Sequence, residues 1–174
     1  MALRKICEKG DPILAKKCKP VKEITPRIEE LMHDMVDTMN DAEGVGLAAP
    51  QVGVMKRLFV ARPFIDSETE EDEIYYMINP EIVYSEGIQE SSEGCLSIPG
   101  FMGLVDRPQI IKIKAQGLDG IEREYDFDGF AATVMCHEND HLDGILYSDV
   151  AKDYMTTEEY CRRLEAIKEE HSEE

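Results

Sequence analysis

The sequence predicts an α+β fold, with antiparallel sheets packed around a central buried helix and a further helix towards each end. Three observations carry this. Stretches of alternating polarity are joined by short turn signals, most clearly Asp119-Gly120 between residues 109–116 and 121–127. A run from Asp128 to Met135 is nearly free of charge and apolar all round, the mark of a buried helix. Helical start signals stand apart from the strands, at Thr25-Pro26 and at Thr156 with Glu159. Runs of strands with a few separate helices belong to the α+β class. At 174 residues, the chain is expected to form one domain spanning 1–174.

Residues 1–25 are mixed and basic, with Asp11-Pro12 and Lys19-Pro20 as turn or extended points. Thr25 is expected to cap the first helix, and Pro26 suits its first position. Ile28, Leu31, Met32, Met35, Val36 and Met39 then recur at helical spacing and read as a core stripe, while His33 falls outside it. The segment from Gly44 to Gly53 is rich in glycine but lacks the Gly-Lys-Ser/Thr of a phosphate loop. Composition alone favours a tight turn there; the functional alternative is a backbone that comes close to a ligand.

Residues 57–62 read as a strand, 66–73 as an acidic loop, and 74–79 as the returning strand of a hairpin. Residues 81–89 continue in an extended style. In 121–127, Ile121, Arg123, Tyr125 and Phe127 face one way, and the acidic residues between them face the other. Asp128 can cap the buried helix and Gly144 can end it. The last helix carries Tyr160, Leu164 and Ile167 on one side.

Composition excludes several classes. A net charge of −18 argues against a broad nucleic-acid-binding surface. No apolar run approaches the ~20 residues of a membrane span, and the first residues lack the apolar core of a signal peptide. The cytoplasm is the expected location. Five cysteines without framework spacing fit reduced thiols.

The chemistry concentrates in His137-Glu138-Asn139-Asp140-His141, a His-Glu-x-x-His pattern. On a helix the two histidines lie one turn and only about 40° apart, with Glu138 on the near flank. Two imidazoles on one face can bind one transition metal, and the adjacent carboxylate can move protons. A chance match on a polar helix gives the same letters, but this helix reads as buried, where unpaired polar groups are costly. One class of zinc peptidase takes its third ligand from a histidine six residues after the second; Tyr147 stands there instead. Cys95, framed by Glu93-Gly94 and Leu96-Ser97, is either a buried small thiol or a thiolate ligand that leaves a fourth position open.

Three stretches together resemble the motifs of the peptide deformylase family. They are Gly44-Val45-Gly46-Leu47-Ala48-Ala49-Pro50-Gln51, Glu93-Gly94-Cys95-Leu96-Ser97 and His137-Glu138-Asn139-Asp140-His141, in that order. The resemblance covers nearly the whole chain. It implies that Cys95, His137 and His141 hold one divalent metal per chain. Ferrous iron is typical of the family, with Zn2+, Ni2+ or Co2+ as substitutes, whereas ligand chemistry alone points to zinc. It implies Glu138 as the proton-transfer group, with the Gln51 amide and the Leu96 backbone N–H as oxyanion donors. The implied substrate is a nascent chain beginning with N-formylmethionine, which releases formate. Its backbone is expected to pair with the Gly44 to Gly46 segment, against Val45 and Gly46, and its methionine to meet Val45, Ile88, Val134 and Cys136.

The chain departs from the family pattern where Cys136 replaces a common glutamine and Met102 a common arginine. Arg107 matches, and is expected to brace the cysteine loop through Glu93. In bacterial relatives a basic C-terminal helix is implied to contact ribosomal RNA; the acidic helix here predicts a weak contact. Two rival readings are a zinc peptidase that cleaves internal amide bonds and a non-catalytic binder of formyl peptides. Tyr147 and Cys95 speak against the first, and the intact Glu138 and Gln51 against the second.

Overall fold

The computed structural model describes residues 2–64 and 73–172. The acidic stretch read as a loop lies outside these residues except for Glu73. Helix α1 (Pro26–Asp41) starts with Pro26 at its first turn. Thr25 precedes it, but its side chain makes no capping bond. Its carbonyl instead accepts from the Ile28 and Glu29 N–H groups at 2.9 and 3.1 Å. The predicted stripe is real: Ile28, Leu31, Met32, Met35 and Met39 are buried, and Val36 packs against them.

A five-stranded antiparallel sheet has the order β1 (Gly46–Ala48), β2 (Leu58–Ala61), β3 (Tyr75–Glu86), β6 (Ile110–Gln116) and β7 (Glu122–Asp128). The α1 stripe lies on one face of it, against Leu47, Leu58, Val60 and Ile78. Phe59, Ala61, Met77, Ile111, Ile113 and Phe127 form the other face and meet α2 (Gly129–Leu142). Alternation within β2 sends successive side chains to opposite faces, and both faces are covered, so all four residues are buried. The 109–116/121–127 hairpin forms as predicted, closed by the Gly120 N–H to the Gly117 carbonyl.

A second, three-stranded antiparallel sheet joins β4 (Gln89–Cys95), β5 (Ile98–Arg107) and β8 (Asp153–Thr156). Its strands are polar or glycine-bearing and carry little alternation; the extended stretch read at 81–89 is mostly the end of β3, and only Gln89 of it belongs to this sheet. Cys95 pairs with Ile98, leaving Leu96 and Ser97 as the turn of a tight hairpin.

Helix α2 is buried along most of its length and touches strands of both sheets, as a central helix must. Asp128 stands at its N-cap position without a side-chain bond, against expectation. Gly144 follows the helix at φ +73°, and a side chain there would strike the Ala15 carbonyl. Beyond it come the single turn α3 (Tyr147–Val150), then β8, then α4 (Thr157–Ser172). The Glu159 N–H bonds to Thr156 Oγ1, half of the predicted capping box. No residue of α4 is buried; Leu164 and Ile167 are 39% and 50% exposed, so its apolar side packs on the body only in part. Its first turns are held instead by Arg163, paired with Asp153 and Glu159.

Candidate active site

Helix α2 presents His137, Glu138 and His141 towards the end of β4, where Cys95 stands. The three ligand atoms of Cys95, His137 and His141 lie within 4.8 Å of one another, and the Cys95 sulfur is 3.4 Å from His141 Nε2. All three come from different turns or strands, so only the folded chain assembles them. His141 Nδ1 and Glu138 Oε2 are buried with no partner among the described residues. One thiol and two imidazoles converging on a point suit a transition metal, and the arrangement fits a single divalent ion.

His137 is held from behind. His137 Nδ1 is 2.8 Å from Glu93 Oε1, which leaves Nε2 for the cleft side. Glu93 in turn accepts two bonds from the Arg107 guanidinium, at 2.8 Å each, and Arg107 donates a third to Asp140 at 2.6 Å. This is the brace expected for Arg107, with Asp140 as its outer partner. The Tyr147 ring stacks on His137 with centroids 5.9 Å apart. The position that carries a histidine in another peptidase class here supplies a packing surface.

Electrostatics follow from this burial. Burial alone would raise the Glu93 pKa, but the Arg107 and His137 hydrogen bonds outweigh it and lower it to about 2. Burial would lower that of His137, yet its bonds to the Cys95 sulfur and Glu93 raise it. His141 is pushed down by burial and by the charge on His137. Burial raises Glu138 from 4.5 to about 7.

Glu93 therefore ties stability to pH. Its folded value lies below its ordinary 4.5, so its contribution is complete above that pH and is lost as pH falls towards about 2. Urea midpoints of the metal-free protein should drop steeply through that window, and Glu93→Gln should start lower and flatten the slope. Parallel slopes for the two proteins would exclude Glu93 as the source.

A cleft of about 360 Å3 opens over the ligands. Val45, Gly46, Gln51, Cys95, Leu96, Val134 and Glu138 are among the residues that line it. The glycine-rich segment is not a plain turn. It contains β1 and a 3-10 turn, Ala49–Val52, that carries Gln51. A Cβ at Gly46 would fall on the Glu138 carboxylate, so only glycine lets the two elements meet. Gln51 is buried; its Oε1 accepts from the Ala48 N–H at 2.9 Å, and its Nε2 rests 3.1 Å from Ser97 Oγ and 3.5 Å from the Cys95 sulfur.

Two expected wall residues lie elsewhere. Ile88 is 77% exposed in the link between β3 and β4. Cys136 is buried in the core with Phe127 and Met135, because one helical step turns it away from His137. Phe130 and Thr133 line the cleft instead and were missed. They stand seven and four residues before His137, on the same helical face, so the periodicity could have found them. Phe101 also lines it, and nothing in its sequence neighbourhood signals this. Met102 rests on the backbone of Gly94: a Cβ there would come within 3.2 Å of its sulfur.

This arrangement has close counterparts. The sequence profile of the polypeptide deformylase family matches residues 3–156. A peptide deformylase of Lachnoclostridium phytofermentans is 52% identical over 147 residues, 84% of this chain and 88% of that protein. The crystal structure of a peptide deformylase from Legionella pneumophila superposes with a TM-score of 0.80 at 38% identity, covering 99% of each chain. A Met-Ala-Ser-bound peptide deformylase from Acinetobacter baumannii gives a TM-score of 0.80 at 33% identity, covering 86% of this chain and 98% of its own. The family match spans most of the chain, Cys95, His137 and His141 included, so this chain belongs to the polypeptide deformylase family.

Proposed function

We propose that residues 1–174 act as one catalytic unit that removes the formyl group from N-formylmethionyl nascent chains and releases formate, in the cytoplasm. Hydrolysis of that group is the activity of the family to which the chain belongs. The observation that carries the residue assignment is the convergence of Cys95, His137 and His141 beside a cleft that Cys95, His137, Glu138 and Gln51 line. Cys95, His137 and His141 would hold one ion, which when bound supplies Lewis acidity and a nucleophile drawn from water near neutral pH.

The side chains then divide the work. Glu138, with its pKa raised to about 7 by burial, is poised to take a proton from the attacking water and return it to the leaving amine. The Gln51 amide turns from Ser97 Oγ towards the developing oxyanion, where the Leu96 N–H also donates. The edge of β1, from Gly44 to Gly46, pairs with the substrate backbone. The methionine side chain sits against Val45, Val134 and Phe130. The Met-Ala-Ser peptide bound by the A. baumannii relative supports this choice of substrate. Formate release from formyl-Met-Ala-Ser, with no cleavage of an internally quenched peptide, is the deciding assay. The opposite pattern would favour an endopeptidase.

The resident ion is proposed to be ferrous iron, with zinc, nickel or cobalt as substitutes. Iron beside an oxidisable thiolate at an open site is vulnerable to air. The iron-loaded enzyme should lose activity in aerated buffer faster than nickel- or cobalt-loaded enzyme. Equal decay of all three would count against iron sensitivity.

Contact with the ribosome is proposed to be weak. Residues 157–174 hold seven glutamates against Arg162, Arg163 and Lys168, a net −4. Phosphate binding depends on basic side chains displacing counterions, and this helix offers few. Co-sedimentation across a salt series should show little binding with or without residues 157–174. Tight, salt-sensitive binding that vanishes on truncation would restore a docking role to α4. Among the described residues no helix is long and apolar enough to cross a membrane.

A further inference from the structure

The segment formed by residues 2–9 links α1 to the cleft. At its outer end the Ala2 N–H donates to Asp34 Oδ1 at 2.9 Å, and the Arg4 guanidinium donates twice to Asp34 Oδ2, at 3.1 and 2.8 Å. The Arg4 N–H donates to Thr38 Oγ1 at 2.9 Å. Asp34 is only 4% exposed. A carboxylate buried on a packed helix is costly unless it is paired. Here both of its oxygens take partners from this segment, and the Ala2 and Arg4 bonds hold its pKa below the ordinary value.

At the inner end the Cys7 N–H donates to the Gln51 carbonyl, and the Lys9 N–H to the Ser97 carbonyl, both at 2.7 Å. These are at the short end of the N–H···O range. Gln51 lies on the 3-10 turn after β1, and Ser97 in the turn between β4 and β5. One short stretch therefore ties together the main chains of two loops from different parts of the fold. Those loops carry the two oxyanion donors, the Gln51 amide and the Leu96 N–H. Ser97 Oγ is also the atom on which the Gln51 amide rests.

We infer that residues 2–9 form a positioning clamp that sets the spacing of the oxyanion donors, anchored by the Arg4–Asp34 pair. The inference rests on the deformylase reading. Arg4 and Asp34 do not line the cleft, so they act only through Cys7 and Lys9. Oxyanion stabilisation requires donors aimed at a fixed point, and small misplacements are expensive in rate. A clasp that merely stabilised the fold would lower the unfolding midpoint and leave turnover of the folded enzyme alone.

The test is a double-mutant cycle on metal-loaded full-length enzyme with formyl-Met-Ala-Ser. Arg4→Ala should lower kcat about tenfold, the order expected for a misplaced rather than a missing donor, with KM within about twofold. Metal content per chain should be unchanged. In a Gln51→Ala background the same substitution should cost clearly less than tenfold, because one of the two donors whose spacing it sets is gone. Thr38→Val, a milder cut at the same anchor, should show the same pattern and serves if Arg4→Ala does not fold. An unchanged kcat, a loss explained by missing metal, or effects that multiply in the double variant would each overturn the clamp. Wild-type enzyme that releases no formate would remove the deformylase reading and the clamp together; a working wild type with any of those three results removes the clamp alone.

Discussion

Replacing Glu138 with glutamine should lower kcat for formyl-Met-Ala-Ser by about 10²–10⁴-fold, the usual contribution of general acid–base help. Fold and metal content should be retained. Glutamine matches glutamate in shape, and the site accepts that shape without adjustment, since Gly46 leaves room for the end of the side chain. Glu138 is 4% exposed, and burial already works against its charged form, so removing the charge does not cost stability. What disappears is a group able to take and return a proton near neutral pH, because an amide does neither. The measurements are kcat, metal per chain by elemental analysis, and the unfolding midpoint. Residual turnover within a few-fold of wild type, at full metal occupancy, would rule out the role assigned to Glu138.

Cys95→Ser should remove most bound metal and nearly all activity. A metal-bound cysteine is a thiolate, and a serine hydroxyl neither ionises readily nor matches its softness. The remaining pair, His137 and His141, is too few for a stable site. Cys7→Ser and Cys161→Ser should keep both metal and rate. Cys18 is buried in the core, so Cys18→Ser should cost stability but not metal. Cys136 is the informative control because it adjoins His137. Burial pushes its thiol up to about 11, which keeps it protonated, and its side chain lies in the core rather than the cleft. Metal analysis after dialysis against a chelator separates the cases. Full occupancy and rate in Cys95→Ser, with both lost in Cys136→Ser, would reverse the ligand assignment.

Much of the fold was legible because its periodicities are local. The α1 stripe, the 110–128 hairpin and the apolar run of α2 each bury one recognisable pattern, and each appears where the pattern put it. The caps were read less well. Thr25 and Asp128 occupy the right positions, yet neither side chain makes the bond that would justify it. The second sheet escaped because Gln89-Glu90-Ser91-Ser92 and the glycines of β5 carry almost no apolar alternation; pairing across the sheet, not local preference, makes them strands.

The site divides along the same line. The sequence by itself determined the donor chemistry: two histidines one helical turn apart, a glutamate on their flank, and a cysteine in a motif shared with a known family. It left the glycine-rich segment from Gly44 to Gly53 open between a tight turn and a close approach of the backbone. Only the tertiary structure decided that Cys95 and His141 come within 3.4 Å, that Gly46 makes room for Glu138, and that Glu93 grips His137 while Arg107 grips Glu93. It placed Ile88 in solvent and Cys136 in the core. The physical reason is range. Helical and strand periods act over a few residues, whereas these contacts join positions more than forty apart in most cases, and their geometry is set by how α2 seats between two sheets.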